Sequence, residues 1–203
     1  DLALSVNSAL AEFDLPKAPE ELVLTWIGNG APVLIARALD WAQKQTGKVL
    51  TEEEIKQVTE RFNFYYGENL CNVSRLYPNV KETLETLKEK GYVLAVVTNK
   101  PTRHVQPVLA AFGIDHLFSE MLGGQSLPAI KPHPGPIYYL CGKFGFEPRQ
   151  VLFVGDSKND IIAAHAAGCA VVGLTYGYNY NIPITESNPD WVFDDFAQLL
   201  TIL

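Results

Sequence analysis

The chain has 203 residues, 47% of them hydrophobic and 19% charged, which allows one large or two small globular domains with a real core. A formal charge of −7 leaves no basic footprint for nucleic acid or an anionic membrane, so positive charge that receives an anion must be local. No apolar run approaches the roughly 18–20 residues of a transmembrane helix, and the start shows no basic-then-apolar signal pattern. The widely spaced Cys71, Cys141 and Cys169 fit neither a disulfide framework nor a zinc site and point to a reduced, cytoplasmic setting.

In chain order, residues 1–77 read as helices only. Leu2, Val6, Ala9, Leu10 and Phe13 share one helical face. Pro32–Gln45 forms another amphipathic stretch, bounded by the turn Gly28-Asn29-Gly30 and by Gly47. Ile55, Val58, Phe62 and Tyr65 follow the capping box Thr51-x-x-Glu54. Pro78-Asn79 marks a boundary, after which the texture changes. A helix through Val80, Leu84 and Leu87 ends at Gly91, and the run Tyr92–Val97 reads as a strand buried on both faces. A helix through Val105, Val108, Leu109 and Phe112 ends at Gly113, and residues 137–144 read as helical. Val151–Val154 is a second buried strand, a helix runs from Lys158 to Gly168, and Val171–Leu174 is a third strand. Strands alternating with helices call for an α/β fold, a doubly wound parallel sheet, here with a helical insert or cap over 1–77 and a core over 78–203.

In such sheets ligands bind beyond the carboxyl ends of the strands. Thr98-Asn99-Lys100-Pro101 follows the first strand, and a hydroxyl followed by backbone amides binds phosphate oxygens, although Thr98 is equally an ordinary helix-capping type. Lys131 lies in Ile130-Lys131-Pro132-His133-Pro134, where flanking prolines aim its ammonium. A fixed cation suits a transferring phosphoryl group, while the bland reading is a solvated loop lysine. His133, between prolines, reads as structural. Val151–Val154 delivers Gly155, then Asp156 at the strand tip and Asp160 at the following helix start. Two hard oxygen donors there suit Mg²⁺, and Ser157-x-x-Asp160 also reads as a capping box. Gly28-Asn29 is either a substrate-contacting loop or a bare turn. The hydroxyl-rich Thr175–Tyr180 reads as a pocket rim or as aromatic packing.

Taken together, Val97-Thr98-Asn99-Lys100-Pro101, Lys131-Pro132-His133-Pro134 and Phe153-Val154-Gly155-Asp156-Ser157-x-x-Asp160 resemble the haloacid dehalogenase superfamily of phosphatases. Trp26-Ile27-Gly28-Asn29-Gly30 and Gly173–Asn179 resemble its bacterial phosphoglycolate phosphatases in particular. The resemblance implies Mg²⁺-dependent hydrolysis of a small phosphorylated metabolite, 2-phosphoglycolate first, through an aspartyl-phosphate. It implies Thr98, Asn99 and Lys131 on the phosphate, Gly28 and Asn29 on the substrate, and Asp156 and Asp160 at the metal. The helical cap would close over the site of a cytoplasmic monomer or homodimer. A sugar-phosphate phosphatase or mutase and a catalytically dead phosphate binder share these features. A phosphorelay receiver does not, because its acceptor aspartate precedes the Thr and Lys.

One family element is missing from the sequence. The nucleophile motif Asp-x-Asp-Gly-Thr occurs nowhere in residues 1–203, and Asp1 does not match it. The family places that motif at the end of a central strand, between the strand ending at Thr98 and the one ending at Asp156. Leaving two buried strand edges unpaired costs about 1–3 kcal/mol per dry polar group. The expectation is therefore a short upstream segment in the native protein, and inactivity of residues 1–203 by themselves.

Overall fold

Thr51 starts the longest helix for a local reason. Its hydroxyl accepts the Glu54 N–H at 3.2 Å while the Glu54 carboxylate accepts the Thr51 N–H at 2.8 Å, closing the expected capping box. The computed structural model describes residues 1–203, in two units, Asp1–Ser74 and Arg75–Leu203.

The first unit is entirely helical: α1 (Leu2–Glu12), α2 (Glu20–Leu24), α3 (Ala31–Thr46) and α4 (Glu52–Glu68). Val6, Leu10, Val23, Leu34, Ala38, Val58 and Phe62 belong to one buried cluster to which every helix contributes. Phe62 and Tyr66, one turn apart on α4, stack at 5.8 Å. The short α2, five residues long, carries too little periodicity to be singled out in the sequence. Between α2 and α3 the chain turns through Gly28 (φ +122) and Gly30 (φ +86), conformations that disfavour any side chain. The Asp1 carboxylate accepts the N–H groups of Val73 (2.9 Å) and Ser74 (3.1 Å), tying together the two ends of this unit.

The second unit alternates α5 (Val80–Glu89), β1 (Ala95–Val97), α6 (Val105–Ala111), β2 (Glu120–Leu122), α7 (Gly135–Phe144), β3 (Leu152–Gly155), α8 (Lys158–Ala167), β4 (Ala170–Leu174) and β5 (Trp191–Phe193). All pairings are parallel, as the alternation requires. The strands form two ladders, β1 with β2 and then β3-β4-β5 in that order. In the second ladder Phe153 faces Val171 and Gly155 faces Gly173. β1 and β3 are each paired along one edge and exchange no ladder hydrogen bonds.

Three expectations need correction. The first strand covers only Ala95–Val97, all half-buried, while Tyr92 and Val93 are exposed. The second is Leu152–Gly155, and only its glycine is buried. Pairing along one edge leaves each of these strands with part of its surface open, and they are the two strands between which a gap is expected from the missing motif. β4 alone is paired on both sides, and it alone is buried over most of its length. Finally, β2 and β5 escape the sequence reading because three-residue strands carry too little alternation to register.

Candidate active site

The strand ends bring four of the sequence-derived residues into one cluster: Asn99, Lys131, Asp156 and Asp160. Lys131 is placed by its backbone. The Asn99 carboxamide donates to the Lys131 carbonyl at 2.9 Å and accepts the Lys131 N–H at 3.1 Å, a two-point clamp between two loops. The ammonium then donates to the Val97 carbonyl at 2.7 Å and to Asp160 Oδ1 at 2.6 Å. It also lies 5.6 Å from the ring centroid of Phe153 in β3. With its side chain 12% exposed and that of Asp160 5% exposed, this is a buried ion pair. Lys131 is no solvated loop lysine. It sits where the end of β1, the ring of β3 and the start of α8 converge.

Asp160 performs the capping role the sequence suggests. Its Oδ2 accepts the Ser157 N–H at 3.0 Å, and the Ser157–Asp160 capping box is complete. The helix start therefore fixes one oxygen, and Lys131 holds the other. Gly155 makes this approach possible, because a Cβ there would overlap the Asp160 side chain.

Asp156 differs. Half-buried at the tip of β3, it accepts the Tyr178 N–H on Oδ2 at 2.7 Å. Gly177 (φ +110) packs so closely that a Cβ would occupy the space of that carboxylate. Burial pushes the Asp156 carboxyl above the usual carboxylate range and the Asp160 charge pushes the same way; the Tyr178 N–H and Lys131 pull it back only in part.

Thr98 does not cap the following helical turn, whose first residue is preceded by Pro101 with no side-chain cap. Its hydroxyl accepts the Lys100 N–H at 3.1 Å, and its own N–H continues the β1–β2 ladder to the Leu122 carbonyl at 2.9 Å. His133 accepts the Gly135 N–H on Nδ1 at 2.9 Å, the structural role expected of it. Gly28 and Asn29 lie in the helical unit, in the turn before α3. The sequence reading misses the Tyr178 N–H and the Gly177 approach that hold Asp156. The signal for them was Gly177 itself, inside a run otherwise rich in hydroxyl-bearing side chains. It also takes Asn99 for a phosphate donor without foreseeing that its carboxamide is engaged with the backbone of Lys131.

No group of three or more His, Cys, Asp or Glu side chains is gathered anywhere in the chain. The donor set at Asp156 and Asp160 therefore does not suit a cation held by protein alone. It does suit Mg²⁺, which takes one or two carboxylates and completes its shell with phosphate oxygens and water.

A parallel α/β unit with a buried lysine and two carboxylates gathered beyond its strand ends suits an anionic ligand and a cation. A family model for haloacid dehalogenase-like hydrolases matches residues 2–174, and the chain belongs to that family. Curated proteins named phosphoglycolate phosphatase match along the whole chain. One from Haemophilus influenzae (strain 86-028NP) is 97% identical over 203 residues, which span 91% of its length. One from Pasteurella multocida (strain Pm70) is 83% identical over the same span. A crystal structure described as a predicted phosphoglycolate phosphatase from Haemophilus somnus 129PT superposes with a TM-score of 0.98 at 75% identity. That match covers 100% of this chain and 90% of the other.

Proposed function

We propose that this chain is the phosphate- and metal-receiving part of a Mg²⁺-dependent phosphomonoester hydrolase acting on 2-phosphoglycolate. The observation that carries the reading is the Lys131–Asp160 pair at 2.6 Å, set beside the Asp156 carboxylate at the tip of β3, which accepts the Tyr178 N–H at 2.7 Å. The phosphoglycolate phosphatase name of relatives up to 97% identical supports the choice of substrate.

In this reading Lys131 binds and neutralises the phosphoryl oxygens, with its charge held in a place of low exposure where it acts strongly. Thr98 and the backbone following it donate to the same oxygens, while the Asn99 carboxamide fixes the lysine loop. Asp156 holds Mg²⁺ directly; Asp160, already bound to Lys131 and Ser157, touches the ion or orients its shell. Bound Mg²⁺ supplies Lewis-acid charge to the phosphate. Gly28 and Asn29 contact the substrate from the helical cap. Attack on phosphorus falls to the first aspartate of an Asp-x-Asp-Gly-Thr segment, which residues 1–203 do not contain, while the second protonates the glycolate oxygen as its P–O bond breaks; water then hydrolyses the aspartyl-phosphate to the free aspartate and phosphate. Residues 1–203 alone are accordingly inactive. The same reading makes it a cytoplasmic monomer or homodimer.

The test is phosphate release from a panel of 2-phosphoglycolate, hexose phosphates and serine phosphate, with that segment present and Mg²⁺ varied. A preference for 2-phosphoglycolate with an absolute Mg²⁺ requirement is expected. Preference for a hexose phosphate would move the reading to a sugar-phosphate enzyme, and no turnover on any ester would move it to a phosphate-binding relative.

A further inference from the structure

Two tyrosines outside the residues assigned so far converge on the loop that holds Asp156. Tyr176 follows β4 directly and is separated only by Gly177 from Tyr178, whose N–H bonds Asp156 Oδ2. The ring of Tyr176 packs on Tyr77 with centroids 4.3 Å apart and planes tilted by 36°. On its other side it meets the cluster of Val172, Leu174, Phe193 and Leu199. Tyr77 is itself anchored through its neighbours. Leu76 and Val80 pack on Leu84, Ile114 and Leu117, and Asn79 donates to Asp195 at 2.7 Å.

The far end of the loop is pinned as well, since Asn179 accepts the Lys158 N–H at 2.8 Å and donates to the Ile182 carbonyl at 2.7 Å. The loop thus has a polar anchor at one end and a ring stack at the other, with Gly177 and the Tyr178 N–H against the carboxylate between them. Tyr176 also carries a buried hydroxyl without a hydrogen-bond partner, an arrangement that costs about 1–3 kcal/mol and offers nothing to stability. Its contribution to the loop therefore comes from the ring.

We infer that the Tyr77–Tyr176 stack is a positioning element for Asp156, fixing the 176–178 loop so that its carboxylate is set for a divalent cation. The inference rests on the metal reading above. Neither tyrosine is a catalytic residue, since each acts through the backbone of the loop. Ring–ring packing of this kind contributes about 0.5–1.5 kcal/mol beyond burial, and supporting groups around a metal ligand commonly change metal affinity about 10–100-fold.

The experiment is a titration of the full chain with Mg²⁺ alone, followed through the backbone amide signals of Asp156 and Tyr178, which needs no substrate or turnover. Tyr77→Ala is expected to weaken Mg²⁺ binding roughly tenfold and to speed hydrogen exchange of the Tyr178 amide. Tyr77→Phe, which keeps the ring, should restore both to within about twofold of wild type. Tyr176→Phe should keep wild-type affinity and raise Tm by removing the orphan hydroxyl. A folded Tyr77→Ala protein with wild-type Mg²⁺ affinity would overturn the inference, whatever its Tm. Should that variant not fold, Tyr77→Leu decides on the same criterion, because it keeps apolar bulk without a ring. A wild-type chain whose amides do not respond to Mg²⁺ would instead overturn the metal reading, and this inference with it.

Discussion

The helical unit is organised around one buried cluster shared by α1, α2, α3 and α4, whereas apolar burial in the α/β unit is divided among three smaller clusters. The difference is repaired by polar ties. Lys131 joins the end of β1 to α8, Asn99 joins two loops, and Tyr178 joins the segment after β4 to the tip of β3. In the helical unit a side chain can be judged by the area it buries. In the α/β unit the same groups that hold the strand ends also form the site, so removing one of them acts on stability and chemistry together.

The largest effects should expose this contrast. Phe62→Ala empties a fully buried position and is expected to cost about 3–5 kcal/mol, seen in urea denaturation as earlier unfolding of the helical unit. Lys131→Ala should cost about as much, ~3–5 kcal/mol, although the lysine buries little apolar surface, because it strands the buried Asp160 charge. Lys131→Ala should also abolish phosphate release, and adding Asp160→Asn should recover stability without recovering activity. If Lys131→Ala costs well under 1 kcal/mol, the ion pair does not hold the strand ends as described.

A smaller effect of opposite sign is expected at Asp156. Its folded carboxyl is shifted upward, so its contribution to stability is present below the unfolded value and is lost as pH rises through the folded one. Without metal, Asp156→Asn should therefore raise Tm at pH 7, and the gain should vanish in acid below about pH 4. An Asn variant less stable than wild type at neutral pH would show that burial is not the dominant influence on this carboxylate.

His104 works the other way. Burial, then the charges of Arg103 and Lys100, push its imidazole down to about 4, and its Nε2 accepts the Arg103 N–H at 3.0 Å as a neutral ring. Its contribution is complete above the ordinary histidine range near 6.5 and is lost as pH falls toward about 4. His104→Gln should flatten the fall in Tm across that window, compared in the same buffers with wild type. The smallest effect belongs to the surface: Thr51→Ala opens an exposed capping box and should cost about 1 kcal/mol, confined to the helical unit.

Much of this contrast is legible in the residue order. Thr51-x-x-Glu54 and Ser157-x-x-Asp160 announce their helix starts, Gly47 and Gly168 their ends, and the alternation after Pro78 announces the parallel sheet. The site is legible where chemistry is local, as at Asp156 on a strand tip and Lys131 ahead of Pro132 and Pro134. Val96 and Val154 are half-buried on strands bonded along one edge, in keeping with the gap expected between those strands. What the sequence cannot express is which loops meet. That Asp160 meets Lys131 and that Tyr178 meets Asp156 depends on segments from different elements arriving at one point. The capping role of Asp160 follows from its spacing to Ser157, while its pairing with Lys131 and the hold of Tyr178 on Asp156 follow from those arrivals.

The central claim is that Asp156 and Lys131 receive metal and phosphate. Its most direct test is phosphate release from 2-phosphoglycolate at increasing Mg²⁺ by wild type and Asp156→Ala, each carrying the Asp-x-Asp-Gly-Thr segment. The account predicts that Asp156→Ala loses at least about a hundredfold in rate at saturating substrate, with Mg²⁺ unable to restore it. Wild-type turnover with an unchanged Mg²⁺ requirement would contradict it.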